Sequence, residues 1–320
     1  LDYYYKYTSS LIYDIPIPGS LYAFGAQVEN AMEISNEGLE LELQADILRE
    51  SAVSWRMKFN MARNWNRFEK SYSGKDVVDG DGTLLVGGRP LNGLYVWAHR
   101  GYYNSDAEVP RLYKIDGQEI YFNGVATNGI SGAVGDYRLL DLDGDGNPDS
   151  YYAGSPLPLA HGGWVNELMW KNFDLNVLVN FTIGRKMISN RMGLGFSRQS
   201  EDGHLTKLFD YRKLRPWDGV NKKPNAPAWG NSLSMNTDSA IEKVHHLALK
   251  QITLGYNLPD RISKKAGLSG VRFFLTAENL FYLSNYSGGN PEVVNIYTGR
   301  DNGDTYPLPR KYTLGLTLNF

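Results

Sequence analysis

Five oxygen-bearing residues on alternate positions carry the most specific chemical signal in the chain. Asp141, Asp143, Asp145, Asn147 and Asp149 lie in Asp-Leu-Asp-Gly-Asp-Gly-Asn-Pro-Asp, with oxygens at positions 1, 3, 5 and 9 and Gly146 at position 6. Alternate carboxylates converge on a hard cation, and glycine makes the sharp turn, so this is the opening of a calcium loop. Position 12, where such a loop places a bidentate Glu, holds Tyr152. An acidic, Asp-Gly-rich turn explains the same residues without a metal. Calcium is therefore an optional ligand, and no motif requires a cofactor. The five histidines make no metal set: His245 and His246 are adjacent and would face opposite sides of a strand. There is no His-Glu-x-x-His, Gly-x-Ser-x-Gly elbow or phosphate loop. Glu40 and Glu42 would share one strand face, which permits acid–base work but more simply gives two water-facing acids. The expectation is that the chain is not an enzyme. Trp217, Trp229 and Tyr286 fall in loop segments and are the candidate ligand contacts, because exposed rings stack on ligands as readily as they anchor loops.

The elements around these residues read as strands. Leu39, Leu41 and Leu43 alternate with Glu40, Glu42 and Gln44; Trp55, Met57, Phe59 and Met61 alternate with Arg56, Lys58 and Asn60. The longest pattern sets Phe173, Leu175, Val177, Val179, Phe181 and Ile183 against Asp174, Asn176, Leu178, Asn180, Thr182 and Gly184. Tyr312 to Phe320 alternates to the last residue, and Leu247–Tyr256 slips phase near Lys250–Gln251, which predicts a bulge. Many of these runs approach the ~10 residues a tilted strand needs to cross a bilayer. Connections come in two sizes. Lys171-Asn172 and Leu48–Ser51 are tight, and 257–270 is moderate with a short helix at Asp260–Lys265. Segments 187–240 and 282–310 are long. Counting back from Phe320 puts every long connection at one end and every short one at the other. About eight to ten strands result, with 94–103 and 111–122 either a strand pair or one elaborate loop.

The totals narrow the classes. The chain has 320 residues, with 33 Lys+Arg against 35 Asp+Glu, so there is no basic stripe and nucleic acid is not an expected partner. Cysteine is absent, and 22 Tyr, 12 Phe and 7 Trp make the chain rich in aromatics. No apolar run approaches the ~18 residues of a membrane helix. The chain opens on Leu1-Asp2-Tyr3-Tyr4-Tyr5-Lys6-Tyr7 rather than on a charged and then apolar leader. It reads as the downstream part of something longer. The alternative class is a soluble all-β sandwich that binds carbohydrate, with the Asp141 loop as a structural calcium site; it would fold without detergent.

Several collinear stretches resemble the SusC/RagA family of TonB-linked outer-membrane proteins. They are Leu1–Thr8; Asn36-Glu37-Gly38-Leu39-Glu40-Leu41; Asp141–Asp149; Gly154-Ser155-Pro156-Leu157-Pro158; and Gly162-Gly163 with Lys171–Leu175. They continue with Leu254-Gly255-Tyr256-Asn257-Leu258-Pro259, Ala277-Glu278-Asn279-Leu280-Phe281, Tyr286–Val293, and Tyr306-Pro307-Leu308-Pro309-Arg310 through Phe320. The resemblance implies an all-β fold, an antiparallel transmembrane β-barrel, of which residues 1–320 would be the C-terminal part. The whole barrel would be 22-stranded, with a plug domain and the N-terminal strands outside this chain. Long loops would be extracellular and short turns periplasmic. It further implies a cell outer-membrane location, a SusD-like surface lipoprotein as partner, and coupling to the TonB complex through the N-terminal region. The implied task is import of an oligosaccharide or oligopeptide past membrane lipid.

Overall fold

The structure is a computed structural model that describes residues 1–16, 26–49, 52–78, 84–109, 111–113, 119–121, 134–144, 149–189, 215–220, 223–228, 237–301 and 305–320. Eight long strands form its wall. They are β1 (Asp2–Pro16), β2 (Ala26–Leu48), β3 (Val53–Lys70), β4 (Ala160–Trp170), β5 (Phe173–Ser189), β6 (Ile241–Asn257), β7 (Gly270–Ser284) and β8 (Lys311–Asn319). They lie side by side in chain order, each antiparallel to the next. Every spanning segment expected from alternation is present, most of them longer than the pattern alone suggested. The predicted bulge is real: the neighbours Leu178 and Val179 on β5 face Gln251 and Leu249 on β6, leaving Lys250 as the extra residue. Trp170 sits opposite Phe173 across the two-residue turn, where Lys171 takes a left-handed φ of 52°. A short helix, α1 (Asp260–Ser263), runs on as a 3-10 turn and stops at Gly267 (φ 71°). The described residues of 94–103 and 111–122 form short pairs of strands outside the wall. Leu94–Trp97 and His99–Tyr102 pair with Ser150–Gly154 and Tyr137–Leu139, away from the wall.

Residues opposite one another in a ladder share a face, so the pairing sorts side chains into rows. One face carries Leu43–Phe59–Trp164–Val179–Leu249–Phe281 and Leu48–Trp55–Leu168–Leu175–Leu254–Leu275–Leu314. The other carries Asp46–Arg56–Glu167–Asn176–Thr253–Thr276–Thr313. The apolar face is bare: Leu43 is 52 %, Leu283 61 % and Leu314 81 % exposed. Water would not tolerate so extended an apolar surface, whereas hydrocarbon would. The soluble-sandwich alternative needs a second layer on this face. Among the described residues there is none, and that expectation is corrected.

Among the described residues, the buried apolar clusters lie where the long connections gather. Met32, Phe68, Val77 and Leu85 form one, Leu94, Val96, Ala153 and Ile188 a second, and Met187, Val244, Tyr286 and Val294 a third. The strands also overshoot a membrane. At ~3.3 Å per residue the 23 residues of β2 extend ~76 Å, about twice what ~10 tilted residues need. Their loop-bearing halves therefore stand beyond the lipid and support the cap.

Candidate functional site

The polar face is a ladder of matched charges. The Arg56 guanidinium donates to Asp46 at 2.6 Å, Lys58 to Glu167 at 2.9 Å, and Arg272 to Asp174 at 2.5 Å. Thr253 and Thr276 join by their hydroxyls at 2.9 Å. Glycine makes one of these rungs possible. Gly255 lies between Asp174 and Phe274 in the sheet, and a Cβ there would overlap both the Asp174 carboxylate and the Arg272 guanidinium.

Higher on the same face, Glu42–Asn60–Gly163–Asn180–Ala248 forms a row with little side-chain bulk at its centre, below the row Ala62–His161–Thr182–His246. The small residues leave a cavity of about 470 Å³, with Lys58, Asn60, His161, Asn180, His246 and Glu292 among its lining residues. Asn60 accepts from the Gly163 amide at 2.9 Å, fixing the floor.

Glu292 arrives from the connection after β7. That segment folds back onto the wall rather than projecting outward. The buried Arg185 side chain, on β5 just past the left-handed Gly184 (φ 73°), donates to the carbonyls of Pro291 (3.2 Å), Val294 (2.9 Å) and Asn295 (2.6 Å). The Ile188 amide donates to Gly299 at 2.8 Å, and Ile188 and Ser189 run parallel to Arg300 and Asp301. Asn290 caps the turn by accepting from the Glu292 amide at 2.9 Å. The Glu292 carboxylate receives Lys250 Nζ at 3.1 Å and lies 3.8 Å from His246 Nε2. His246 and Lys250 hold this carboxyl below the usual carboxylate range, against the opposing effect of its partial burial.

The residues singled out from sequence scatter over the cap. Tyr286 is 8 % exposed, packs with Met187, Val244 and Val294, and donates to Asp301 at 2.5 Å. Burial and the Asp301 carboxylate push its phenol up. It is an interior anchor, so its expected role as a loop contact is corrected. Trp217 is half-buried; its indole donates to Asn104 at 3.2 Å and its ring lies over Gly135, whose φ of 89° brings the backbone close. Trp229 lies outside the described residues, as do Asp145 and Asn147. Asp141, Asp143 and Asp149 bring carboxylate oxygens within 4.8 Å of one another. Asp149 also accepts from the amides of Leu142 (2.5 Å) and Asp143 (3.1 Å), and Asp141 from Gly144 (2.6 Å). Three converging carboxylates suit a calcium ion as part of an oxygen cage, and the backbone donors alone stabilise the turn. Arg185, Lys250, His246 and Glu292 were not singled out as a group. Their partners lie 42 to 110 positions apart, beyond any local pattern. The only available signal was the phase slip at Lys250.

No protein-family model matches the chain. Curated relatives do. TonB-dependent receptor P26 of Formosa agariphila is 28 % identical over 345 residues, covering 100 % of this chain and 32 % of that protein. TonB-dependent receptor P3 of the same organism is 25 % identical over 343 residues, also covering 100 % of this chain and 32 % of its own length. SusC of Bacteroides thetaiotaomicron is 25 % identical over 332 residues, covering 100 % and 30 %. The chain thus spans about a third of the length of the relatives it matches. Among solved structures, the RagAB peptide transporter superposes with a TM-score of 0.72 at 22 % identity, covering 99 % of this chain and 33 % of its own. With its bare apolar face, charged inner ladder and one-ended loops, this chain is similar along its whole length to TonB-dependent receptors of the SusC type, and it shares the outer-membrane β-barrel fold of the RagAB transporter.

Proposed function

We propose that the chain supplies wall, outer loops and part of the ligand path of an outer-membrane importer of nutrient oligomers. In this reading residues 1–320 are the C-terminal part of a larger barrel. The open edges of β1 and β8 pair with strands of the rest of the protein, because a bilayer leaves no water to satisfy an unpaired edge. The plug and the TonB-contacting segment belong to the N-terminal region, and a SusD-like lipoprotein covers the outer loops. The observation that carries the reading is the single-layer wall itself. It is apolar on the side away from Glu42, Lys58 and Asn180, polar toward them, and capped at one end only. Ligand held at the cap would be released past the plug when the TonB complex draws on the inner-membrane proton gradient, and would then travel along the polar face. Binding and passage account for the inner residues without bond making or breaking. Substrate is an oligosaccharide or an oligopeptide.

The test is a chromosomal deletion of the full-length gene, complemented in trans, with uptake of fluorescent oligosaccharide and oligopeptide pools measured in intact cells. Uptake of one pool is expected to fall at least tenfold on deletion and to return on complementation. Unchanged uptake of both pools overturns the proposal.

A calcium ion held by Asp141, Asp143 and Asp149 belongs to the same proposal, as a brace for the cap.

A further inference from the structure

Glu292 lines two cavities at once. One is the 470 Å³ pocket over Gly163; the other, about 210 Å³, lies on its far side against Ala248, Lys250, Asn279 and Arg310. Its side chain is the partition between them, set on a backbone that cannot readily move. Arg185 holds three carbonyls around it, Val294 is buried, and Asn290 caps the turn. Its carboxylate is held by the side chains of Lys250 and His246.

The cationic side is built and aimed. Lys250 is the residue of β6 that bulges against β5, and a bulge re-aims a side chain out of the regular alternation. His246 is 7 % exposed at its side chain, and its Nδ1 is buried without a hydrogen-bond partner, so Nε2 is the nitrogen turned toward the carboxylate. Lys58, which lines the larger pocket, already has Glu167 beside it on the neighbouring strand. The larger pocket carries one further acid, Glu42, at its lining, and uncharged hydrogen-bonding groups in Asn60, Asn180, Thr182 and His161. We propose that Lys250 and His246 form a carboxylate-binding subsite on the lumenal wall. In this structure the chain's own Glu292 occupies it, and the carboxylate of a travelling ligand takes it over. A charged acceptor at the Lys250 ammonium gains a charge-assisted bond that a neutral analogue cannot make. When a ligand carboxylate displaces Glu292, the two cavities join and the chain of the ligand has room on both sides. A carboxylate can come from a peptide C-terminus or from a uronic acid.

The inference rests on the import reading for its purpose, but binding is measured without transport, so the two fail separately. Full-length protein in detergent is titrated with trialanine and trialanine amide, and with trigalacturonate and its methyl ester. Glu292→Gln, which vacates the subsite, is expected to bind at least one free acid about tenfold tighter than the unaltered protein does, with the paired neutral probe unchanged. Adding Lys250→Met removes the gain. A gain for trialanine alone assigns a peptide source, a gain for trigalacturonate alone an acidic glycan, and both together a shared carboxylate site. If Glu292→Gln does not assemble, as read by heat-modifiable migration, Glu292→Asp withdraws the carboxylate by one methylene and gives a smaller gain of the same sign. The absence of acid preference in the variant that assembles overturns the proposal.

Discussion

At the scale of single residues, the cap is held by a few charged side chains whose removal has directional consequences. The Glu292 carboxyl is held below the usual carboxylate range by His246 and Lys250. A carboxyl with a depressed native value stabilises the fold above its unfolded value, and that contribution is lost as pH falls through the native one. The Pro291–Val294 turn is therefore protected at neutral pH and loosens in acid below the ordinary carboxylate range. Amide exchange of Val293 and Val294, corrected for intrinsic rates, checks this; Glu292→Gln should abolish the pH dependence. Arg185→Met strips three carbonyls of their donor in a buried place. At ~1–3 kcal/mol for each unsatisfied group, it should cost several kcal/mol of local stability, read as faster exchange from Asn290 to Asn295. Calcium belongs to this scale too. If Asp141, Asp143 and Asp149 hold the ion, titration of full-length protein shows saturable binding that Asp143→Asn weakens. Without such binding, the loop is a self-capped turn.

At the scale of elements, the alternating strands were legible because lipid imposes one requirement on every second residue for ten residues or more. Leu175, Val177 and Val179 obey it, and so do Leu314 to Leu318. A Val177→Arg substitution puts a cation into that face and should cost ~2–4 kcal/mol near the midplane. Asn180→Arg on the opposite face leaves the wall intact. The comparison is made by urea unfolding into lipid vesicles. Gly255→Val should disturb the Asp174–Arg272 rung on β5 and β7 while sparing the strands, with a loss of ~1–3 kcal/mol by the same measurement. The long connections were not legible, unlike the tight turn at Lys171–Asn172 and the short helix from Asp260. Tyr286 reads as a loop aromatic, yet β7 returns its chain to the interior, and only Asp301, Met187 and Val244, distant in sequence, decide that. Phase could place His246 on the polar face. It could not place Glu292 against it, because that contact depends on how the connection after β7 folds back.

At the scale of the whole molecule, family and wall could be read together, because the collinear motifs and the period-two pattern report the same sheet. The site could not, because Glu292 meets His246 and Lys250 on the polar face only after the connection following β7 has folded back. The separation of the buried clusters from the wall has a further consequence. Among the described residues, no apolar layer packs on the strands between the short turns and the cap, whereas the cap carries three small cores of its own. Stripped of detergent, the molecule should come apart unevenly. Protease should first nick the turn at Lys171–Asn172 and the strands near it, leaving fragments around Phe68, Val96 and Met187 that remain folded for longer. Resistance to degradation at the cell surface would then be local to the cap, while the resilience of the buried wall would be lent to it by the surrounding lipid.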